Sequence, residues 1–130
     1  MIVLDASAAI EWMLQRPAGM RIEGRIYSRG EALHAPHLLD LEVMQTLRRL
    51  ARQEEISEDR AEDAIRDFVD TRIKLYPHRL FLRRIWQMRH NVSAYDAAYV
   101  SLAETLGVPL ITADARLAAA SGHHATIELF

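Results

Sequence analysis

The chain has 130 residues, of which half are hydrophobic and 26% are charged, and its formal net charge is −2. It contains no cysteine, which excludes disulfides, thiolate metal sites and cysteine nucleophiles. These values predict a single globular domain over residues 1–130, and any binding of nucleic acid must then depend on a local basic patch.

The basic residues and the apolar runs exclude further classes of protein. Lys74 is the only lysine among 16 basic residues, which excludes a P-loop. No apolar run approaches the ~18 residues of a membrane span. The amino-terminal region also lacks the basic and apolar segments of a signal peptide. We therefore expect a cytoplasmic protein that makes no contact with a membrane.

Hydrophobic periodicity and turn residues predict alternating strands and helices along the chain. The predicted strands are an apolar run that ends at Asp5, residues 32–35, an extended segment over 73–76, residues 108–112 and residues 125–130. The predicted helices cover residues 6–16, 20–28, 37–53, a segment after the N-cap Ser57, and residues 79–89, 93–106 and 114–119. This alternation predicts an α/β fold with a parallel sheet and helices on both faces.

The long helix over residues 37–53 carries an apolar stripe with helical spacing. The stripe is predicted to face the core and consists of Leu38, Leu41, Met44, Leu47 and Leu50. Glu42 lies beside it, with Thr46 one turn further on, so this acid is not on the most polar face of the helix.

Four carboxylates occupy the ends of predicted elements. Asp5 follows the first strand and Asp114 follows the strand that ends at Thr112, whereas Glu42 and Asp96 lie early in their helices. In an open parallel sheet, the carboxyl ends of the strands are where ligands bind. The sequence therefore places these acids around one possible pocket.

Each acid also has a purely structural interpretation. Asp5 and Asp114 are suitable helix N-caps, and Ser93 with Asp96 resembles a capping box. Glu42 has the alternative of being a solvated helix residue. The functional interpretation gains weight because Asp5 and Asp114 both end apolar strands that are expected at the centre of the sheet.

A shared pocket of carboxylates favours a hard divalent cation. Clustered carboxylates repel one another, and a cation relieves that repulsion. Mg²⁺ or Mn²⁺ prefers carboxylate oxygens and water, and leaves coordination positions open for a phosphate. The chemistry that fits such a site is metal-dependent hydrolysis of phosphodiester bonds.

Taken together, four segments resemble a PIN domain, and more narrowly the VapC-type toxins of bacterial type II toxin–antitoxin systems. The segments are Ile2–Ser7, Leu41–Val43, Tyr95–Tyr99 and Leu110–Asp114. The resemblance covers essentially the whole chain, and it implies a three-layer α/β/α sandwich around a mainly parallel sheet of four or five strands.

The same resemblance implies a function and a site. It implies a Mg²⁺-dependent endoribonuclease that forms a homodimer, is neutralised by a VapB-type antitoxin and forms a larger hetero-oligomer with it. The metal-binding and catalytic acids carry over to Asp5, Glu42, Asp96 and Asp114, and the supporting hydroxyls to Ser7 and Thr112. Asp40 and Glu104 are possible further contributors.

Two other functions compete with a ribonuclease. A phosphatase or receiver domain also has an aspartate after its first strand, but the phosphatase needs a second aspartate where this chain has Ser7. The receiver needs a lysine after a late strand, and Lys74 lies elsewhere. The other alternative is a catalytically inactive PIN-like module that binds RNA or a partner, and the presence of all four acids argues against it.

Several residues outside the acids are candidates for binding partners. Arg48, Arg84 and Arg89 are weak candidates for contacts with RNA phosphates, and their alternative is a solvated face. Trp12 and Met13, with the helix over residues 20–28, are predicted to form an apolar groove for an antitoxin helix. The histidines, His34 included, are expected at the surface.

Overall fold

The computed structural model describes residues 1–130, in which strands alternate with helices. The five strands are β1 (Ile2–Leu4), β2 (Leu33–Pro36), β3 (Ile73–Tyr76), β4 (Leu110–Thr112) and β5 (Ile127–Leu129). The seven helices are α1 (Ala6–Met13), α2 (Pro17–Arg29), α3 (Leu38–Arg52), α4 (Glu58–Asp70), α5 (Leu82–Gln87), α6 (Ala94–Leu106) and α7 (Ala115–Ala118). A 3₁₀ turn over His78–Phe81 leads into α5.

All five strands are parallel, in the order β3-β2-β1-β4-β5. The predicted parallel sheet is thereby confirmed with five strands. The chain moves outward from β1 to β3 and then crosses back to β4 on the other side of β1. The direction of winding therefore reverses between β1 and β4, and at such a switch point the carboxyl ends of the strands open a crevice for ligands.

Helices cover both faces of this sheet, which confirms the three-layer sandwich. Helix α6 packs against β1, β2 and β4, and α5 packs against α6. On the other face, α1 contacts β4 and is itself covered by α2, α3 and α4. Because both of its faces are covered, β1 is fully buried along its length, and this explains why its sequence is uniformly apolar.

The buried stripe of α3 differs from the predicted one. The helix buries four residues spaced four, four and three apart, which are Leu39, Val43, Leu47 and Leu50. Leu41 is 72% exposed and Met44 is also exposed, so the prediction that they face the core is wrong. The helix carries two apolar stripes, and packing on the sheet selects the one that brings half-buried Glu42 and Thr46 to its border.

The structure buries Trp12 and Met13, two residues of the predicted antitoxin groove, and their contact with an antitoxin stays a prediction. These side chains are only 6% and 4% exposed and belong to the main hydrophobic core. The reason is that α2 folds back over α1, while α3 and α4 cover α1 from other directions. Tyr27 on α2 keeps an exposed ring against the edge of Trp12.

His34 is a second residue that the sequence misplaces. It lies in β2 and is buried, with its Nδ1 atom 2.9 Å from the hydroxyl of Tyr76 on the neighbouring strand β3. The expectation of a surface histidine is therefore wrong, because β2 is enclosed between β1 and β3. None of the helices is both long enough and apolar enough to cross a lipid bilayer.

The close approach of α2 to α1 yields a stability prediction. A Cβ atom at Gly19 would lie 1.9 Å from the carbonyl oxygen of Glu11, whereas one at Gly24 on the same helix would meet nothing within 4 Å. We expect Gly19→Ala to lower the free energy of unfolding by about 3 kcal/mol, since backbone would have to move. Gly24→Ala, the matched control, should raise it by about 0.5–1 kcal/mol through helix propensity. Urea denaturation measures both, and equal effects would contradict the packing argument.

Candidate active site

Asp5 is both a helix cap and the buried centre of the site. Its side chain leaves β1 at the switch point, where its Oδ1 accepts a hydrogen bond of 2.8 Å from the amide of Ala8. This bond caps the amino terminus of α1. The carboxylate is 5% exposed, so the structural and functional interpretations of Asp5 apply to the same atoms.

Two hydroxyl groups hold the Asp5 carboxylate, one from α1 and one from β4. Ser7 Oγ donates to Oδ1 over 2.7 Å and accepts from the amide of Ala113, while Thr112 Oγ1 donates to Oδ2 over 2.5 Å and accepts from the amide of Asp114. Each hydroxyl has a single proton, so the 3.2 Å contact between them carries no hydrogen bond while Asp5 is ionised. The ionised carboxylate then accepts three bonds and keeps one lone pair of Oδ2 free.

The environment of Asp5 favours its protonated form. Burial raises its pKa from 3.8 to about 6, although the bonds from Ala8, Thr112 and Ser7 lower it. The negative charge of Asp96 adds a smaller increase. A carboxylate with a strongly perturbed pKa, buried where the strands of a sheet end, is typical of a functional site.

Glu42 is positioned by a tyrosine from α6. The hydroxyl of Tyr99 donates to Glu42 Oε2 over 2.6 Å, and this bond joins α3 to α6. Burial raises the pKa of Glu42, the bond from Tyr99 lowers it, and the charge of Asp96 raises it. Tyr99 itself is buried, and its pKa is raised by burial and by its bond to Glu42, so it remains a proton donor.

Asp96 lies in the first turn of α6, three residues after the helix cap Ser93. Its amide donates to Ser93 Oγ over 3.1 Å, which confirms Ser93 as the N-cap. Burial raises the pKa of Asp96, hydrogen bonding with Ser93 lowers it, and Asp114 and Arg116 add opposing contributions. The side chain is half-buried and makes no ion pair.

Asp114 has an internal counter-ion. It caps α7 by accepting from the amide of Arg116 over 2.8 Å, and its Oδ2 pairs with the guanidinium of the same residue at 3.1 Å. The hydrogen bond and charge of Arg116 hold the pKa of Asp114 below its usual value. Arg116 is 92% exposed, so nothing else restrains it.

Asp96 links the four acids electrostatically. In addition to the larger effect of burial, its charge raises the pKa of Asp5 and Glu42, and Asp114 raises that of Asp96. Nevertheless, no three acidic or histidine side chains converge into a preformed metal-binding cluster. Two of the four acids are instead engaged by protein groups, Glu42 by Tyr99 and Asp114 by Arg116.

The donor set fits a hard divalent cation. All the candidate ligands are oxygens, and Mg²⁺ is bound through one or two carboxylates, water and substrate phosphate rather than through an all-protein cage. Asp5 supplies one rigid carboxylate with a free lone pair, and Asp96 supplies one without a counter-ion. The assignment of all four acids as ligands stays a prediction.

Two of the residues proposed from the sequence as extra ligands are placed elsewhere. Glu104 accepts two bonds from Arg84, of 2.7 and 2.8 Å, and another from the amide of His124. This ion pair fastens α5 to α6, so Glu104, a possible further contributor, is engaged away from the acids. Asp40 is exposed and lies about 200° round α3 from Glu42, so it does not reach them either.

The three arginines proposed for RNA binding differ in their freedom. Arg84 is engaged by Glu104. The guanidinium of Arg89 stacks on the ring of Trp86 at 4.6 Å from its centroid. Arg48 is exposed and makes no ion pair, and its contact with RNA stays a prediction.

Sequence reasoning missed two residues of the site. Tyr99 lies three positions after Asp96 on α6, and this spacing is the signal that both side chains share one face. Arg116 lies two positions after Asp114 in the cap of α7, where a pairing with the preceding acid was not anticipated.

Comparison with known proteins places the chain among nucleases. A model of the PIN domain family matches residues 2–122. Ribonuclease VapC12 of Mycobacterium tuberculosis is 45% identical over 129 residues, which cover 99% of this chain and 98% of the relative. The chain is therefore similar to a curated ribonuclease along its whole length.

Solved structures share the fold at lower sequence identity. PAE2754 from Pyrobaculum aerophilum superimposes with a TM-score of 0.71 at 23% identity, over 97% of this chain and 81% of that protein. VapC20 of Mycobacterium tuberculosis, a toxin that cleaves the sarcin–ricin loop, superimposes with a TM-score of 0.64 at 14% identity. The match covers 92% of this chain and 94% of VapC20. At these identities the likeness concerns the fold alone.

The burial of Asp5 predicts an unusual pH dependence of stability in metal-free buffer. Because its pKa is raised to about 6 in the native state, the native protein holds this proton to a higher pH than the unfolded chain does. The free energy of unfolding should therefore fall by up to about 3 kcal/mol as the pH rises from about 4 to 7.

Asp5→Asn isolates this contribution, since an amide cannot ionise and still caps α1. Urea denaturation of both proteins in EDTA should show that the variant gains stability relative to the wild type across this pH range. Parallel pH profiles would contradict the raised pKa.

Proposed function

The chain belongs to the PIN domain family, and we propose that it is a Mg²⁺-dependent (or Mn²⁺-dependent) endoribonuclease toxin of a VapBC-type toxin–antitoxin system. The proposed reaction is hydrolysis of RNA phosphodiester bonds. Asp5, Glu42, Asp96 and Asp114 are the proposed catalytic and metal-binding acids, with Ser7 and Thr112 in support.

One observation carries this proposal. The Asp5 carboxylate is buried at the switch point of the sheet, is hydrogen-bonded by two hydroxyls and still has one lone pair free. A carboxylate that served only as a helix cap would not need a further donor, Thr112, from another strand. The full-length similarity to a curated ribonuclease gives this arrangement its chemical interpretation.

The proposed metal ion would be held by carboxylate oxygens of Asp5, Glu42, Asp96 and Asp114. The chemistry that such a cation supplies when bound is neutralisation of phosphate charge and activation of a water molecule for in-line attack. The remaining contributions come from the chain itself.

The protein's own groups orient these acids before substrate arrives. Ser7 and Thr112 restrict rotation of the Asp5 carboxylate, because each hydroxyl is itself held by a backbone amide. Tyr99 fixes one oxygen of Glu42 and leaves the other available. Pre-set carboxylates lower the reorganisation needed during the reaction.

Partners follow from the same relationship. We propose that a VapB-type antitoxin inhibits the protein, that the chain forms a homodimer, and that a larger hetero-oligomer forms with the antitoxin. Activity on RNA would take place in the cytoplasm, with no role for a membrane.

The catalytic proposal is tested by matched substitutions on α3. In Mg²⁺, the purified protein should cleave RNA, and Glu42→Gln should lower kcat/KM by at least about 100-fold, because one charge of the acidic site is lost. Asp40→Asn, which removes an exposed acid two residues away, should leave cleavage within about twofold. Gel analysis of labelled RNA measures both.

Asp5→Asn and Asp96→Asn should also abolish cleavage, and EDTA should stop the wild-type reaction. Cleavage that persists in EDTA would contradict the metal mechanism. Failure of the wild type to cut any RNA in Mg²⁺ or Mn²⁺, with retained RNA binding, would instead identify an inactive binding module.

The counter-ion of Asp114 predicts a change in metal affinity. Because Arg116 occupies carboxylate oxygens that a metal ion would use, Arg116→Gln should lower the Mg²⁺ concentration for half-maximal thermal stabilisation by up to about fivefold. Arg83→Gln removes an exposed, unpaired arginine from α5 and should change nothing. Thermal melting over a Mg²⁺ series measures both, and equal midpoints would show that Arg116 does not compete.

A further inference from the structure

We propose that Arg49 and Arg116 form a phosphate-binding subsite for the RNA strand, in a cleft that adjoins the acids at Asp114. This inference rests on the proposed ribonuclease function and assigns to it the residues that hold the strand beside the cleaved bond. It supplies a local basic patch of the kind that a chain of net charge −2 needs for binding RNA.

The cleft is an extension of the acidic site. It has a volume of about 430 Å³ and is bordered by α1, α3 and the segment that leads from β4 into α7. The cleft adjoins the acidic site at Ser7 and Asp114. Its walls include Arg16, Arg49 and Arg116. A strand that leaves the acidic site in this direction therefore meets cations immediately.

The charges of the cleft leave one cation uncompensated. Arg16 pairs with Glu11 at 3.0 Å, and Arg116 pairs with Asp114 at 3.1 Å. Arg49 makes no ion pair, and its single side-chain contact is a long 3.4 Å one to Gln53. With three arginines and two acids, the cleft carries a net charge of +1, which resides on Arg49.

The helical spacing of α3 places Arg49 on the same side of the helix as Glu42. Glu42, Thr46 and Arg49 are spaced by four and three residues, so they form one stripe that runs from the acids into the cleft. Arg49 lies about 10 Å further along the helix axis than Glu42. It is therefore placed for a phosphate that neighbours the cleaved one, with the hydroxyl of Thr46 between them.

Arg116 has the second role in this subsite. It is exposed and held only through Asp114, so it can turn from that carboxylate to a phosphate without breaking any packing. A guanidinium binds a phosphate through two parallel hydrogen bonds, which suits both arginines to this ligand. Arg48 shares α3 and its exposure, but it points about 100° away and does not line the cleft.

The decisive experiment measures RNA binding at several salt concentrations. We would follow the fluorescence anisotropy of a labelled single-stranded RNA with the full chain in EDTA, so that binding is measured without hydrolysis. Arg49→Gln and Arg116→Gln should each bind about tenfold more weakly and lose about 0.7 from the slope of log affinity against log salt. Arg83→Gln makes the same change of charge at an exposed, unpaired arginine outside the cleft and should leave both values close to those of the wild type.

Kinetics in Mg²⁺ provide a second readout. Arg49→Gln should raise KM with little change in kcat, because this residue holds the strand away from the reacting phosphate, and Arg49→Lys should recover most of the salt slope. Equal losses for Arg83→Gln and Arg49→Gln would overturn the subsite and leave the ribonuclease in place. If only Arg49→Gln and Arg116→Gln lose RNA binding, the subsite is supported. If the wild type also cleaves no RNA, the ribonuclease proposal is overturned while the subsite stands.

Discussion

The hydrogen bond from Thr112 to Asp5 is the contact on which the site depends. It joins the carboxyl ends of β1 and β4 at the point where the sheet changes its direction of winding. Because Thr112 Oγ1 also accepts from the amide of Asp114, the backbone that carries the second acid is positioned by the first. A shift of one residue in the pairing of β4 with β1 would turn Thr112 away and separate the two acids.

The site is held together against its own electrostatics. Burial opposes the charge of Asp5, and the four acids repel one another. Two contacts reduce this repulsion. The neutral hydroxyl of Tyr99 donates a hydrogen bond to Glu42, and the exposed guanidinium of Arg116 pairs with Asp114. The two devices differ in permanence. Tyr99 is buried and stays with its carboxylate, whereas Arg116 is exposed and can be displaced by a stronger cation. Local instability of this kind is common where a site is built for a charged ligand.

The sequence was informative wherever a residue's role follows from its place in a local element. Asp5, Asp96 and Asp114 come at the starts of helices, where acids are expected. Asp5 and Asp114 also follow parallel strands, so the predicted parallel sheet was enough to bring these two to one edge. It was misleading where two local solutions were equally good: α3 carries two apolar stripes, and only contact with the sheet decides between Leu41 and Val43. It was silent on pairings between distant segments, such as Arg84 with Glu104 or Tyr99 with Glu42, because these depend on how helices pack.

The bond between Thr112 and Asp5 also spans 107 positions of the chain. Parallel pairing between strands so far apart in sequence closes late in folding, after the loop-closure entropy of the intervening segments has been offset. During synthesis the amino terminus leaves the ribosome first. The Asp5 carboxylate therefore lacks the hydrogen bond from Thr112 until the segment through Asp114 has emerged. A nascent chain thus carries every residue of β1 and α1 but no assembled acidic site. Under the proposed ribonuclease function, the acidic site is therefore complete only after the segment through Asp114 has left the ribosome.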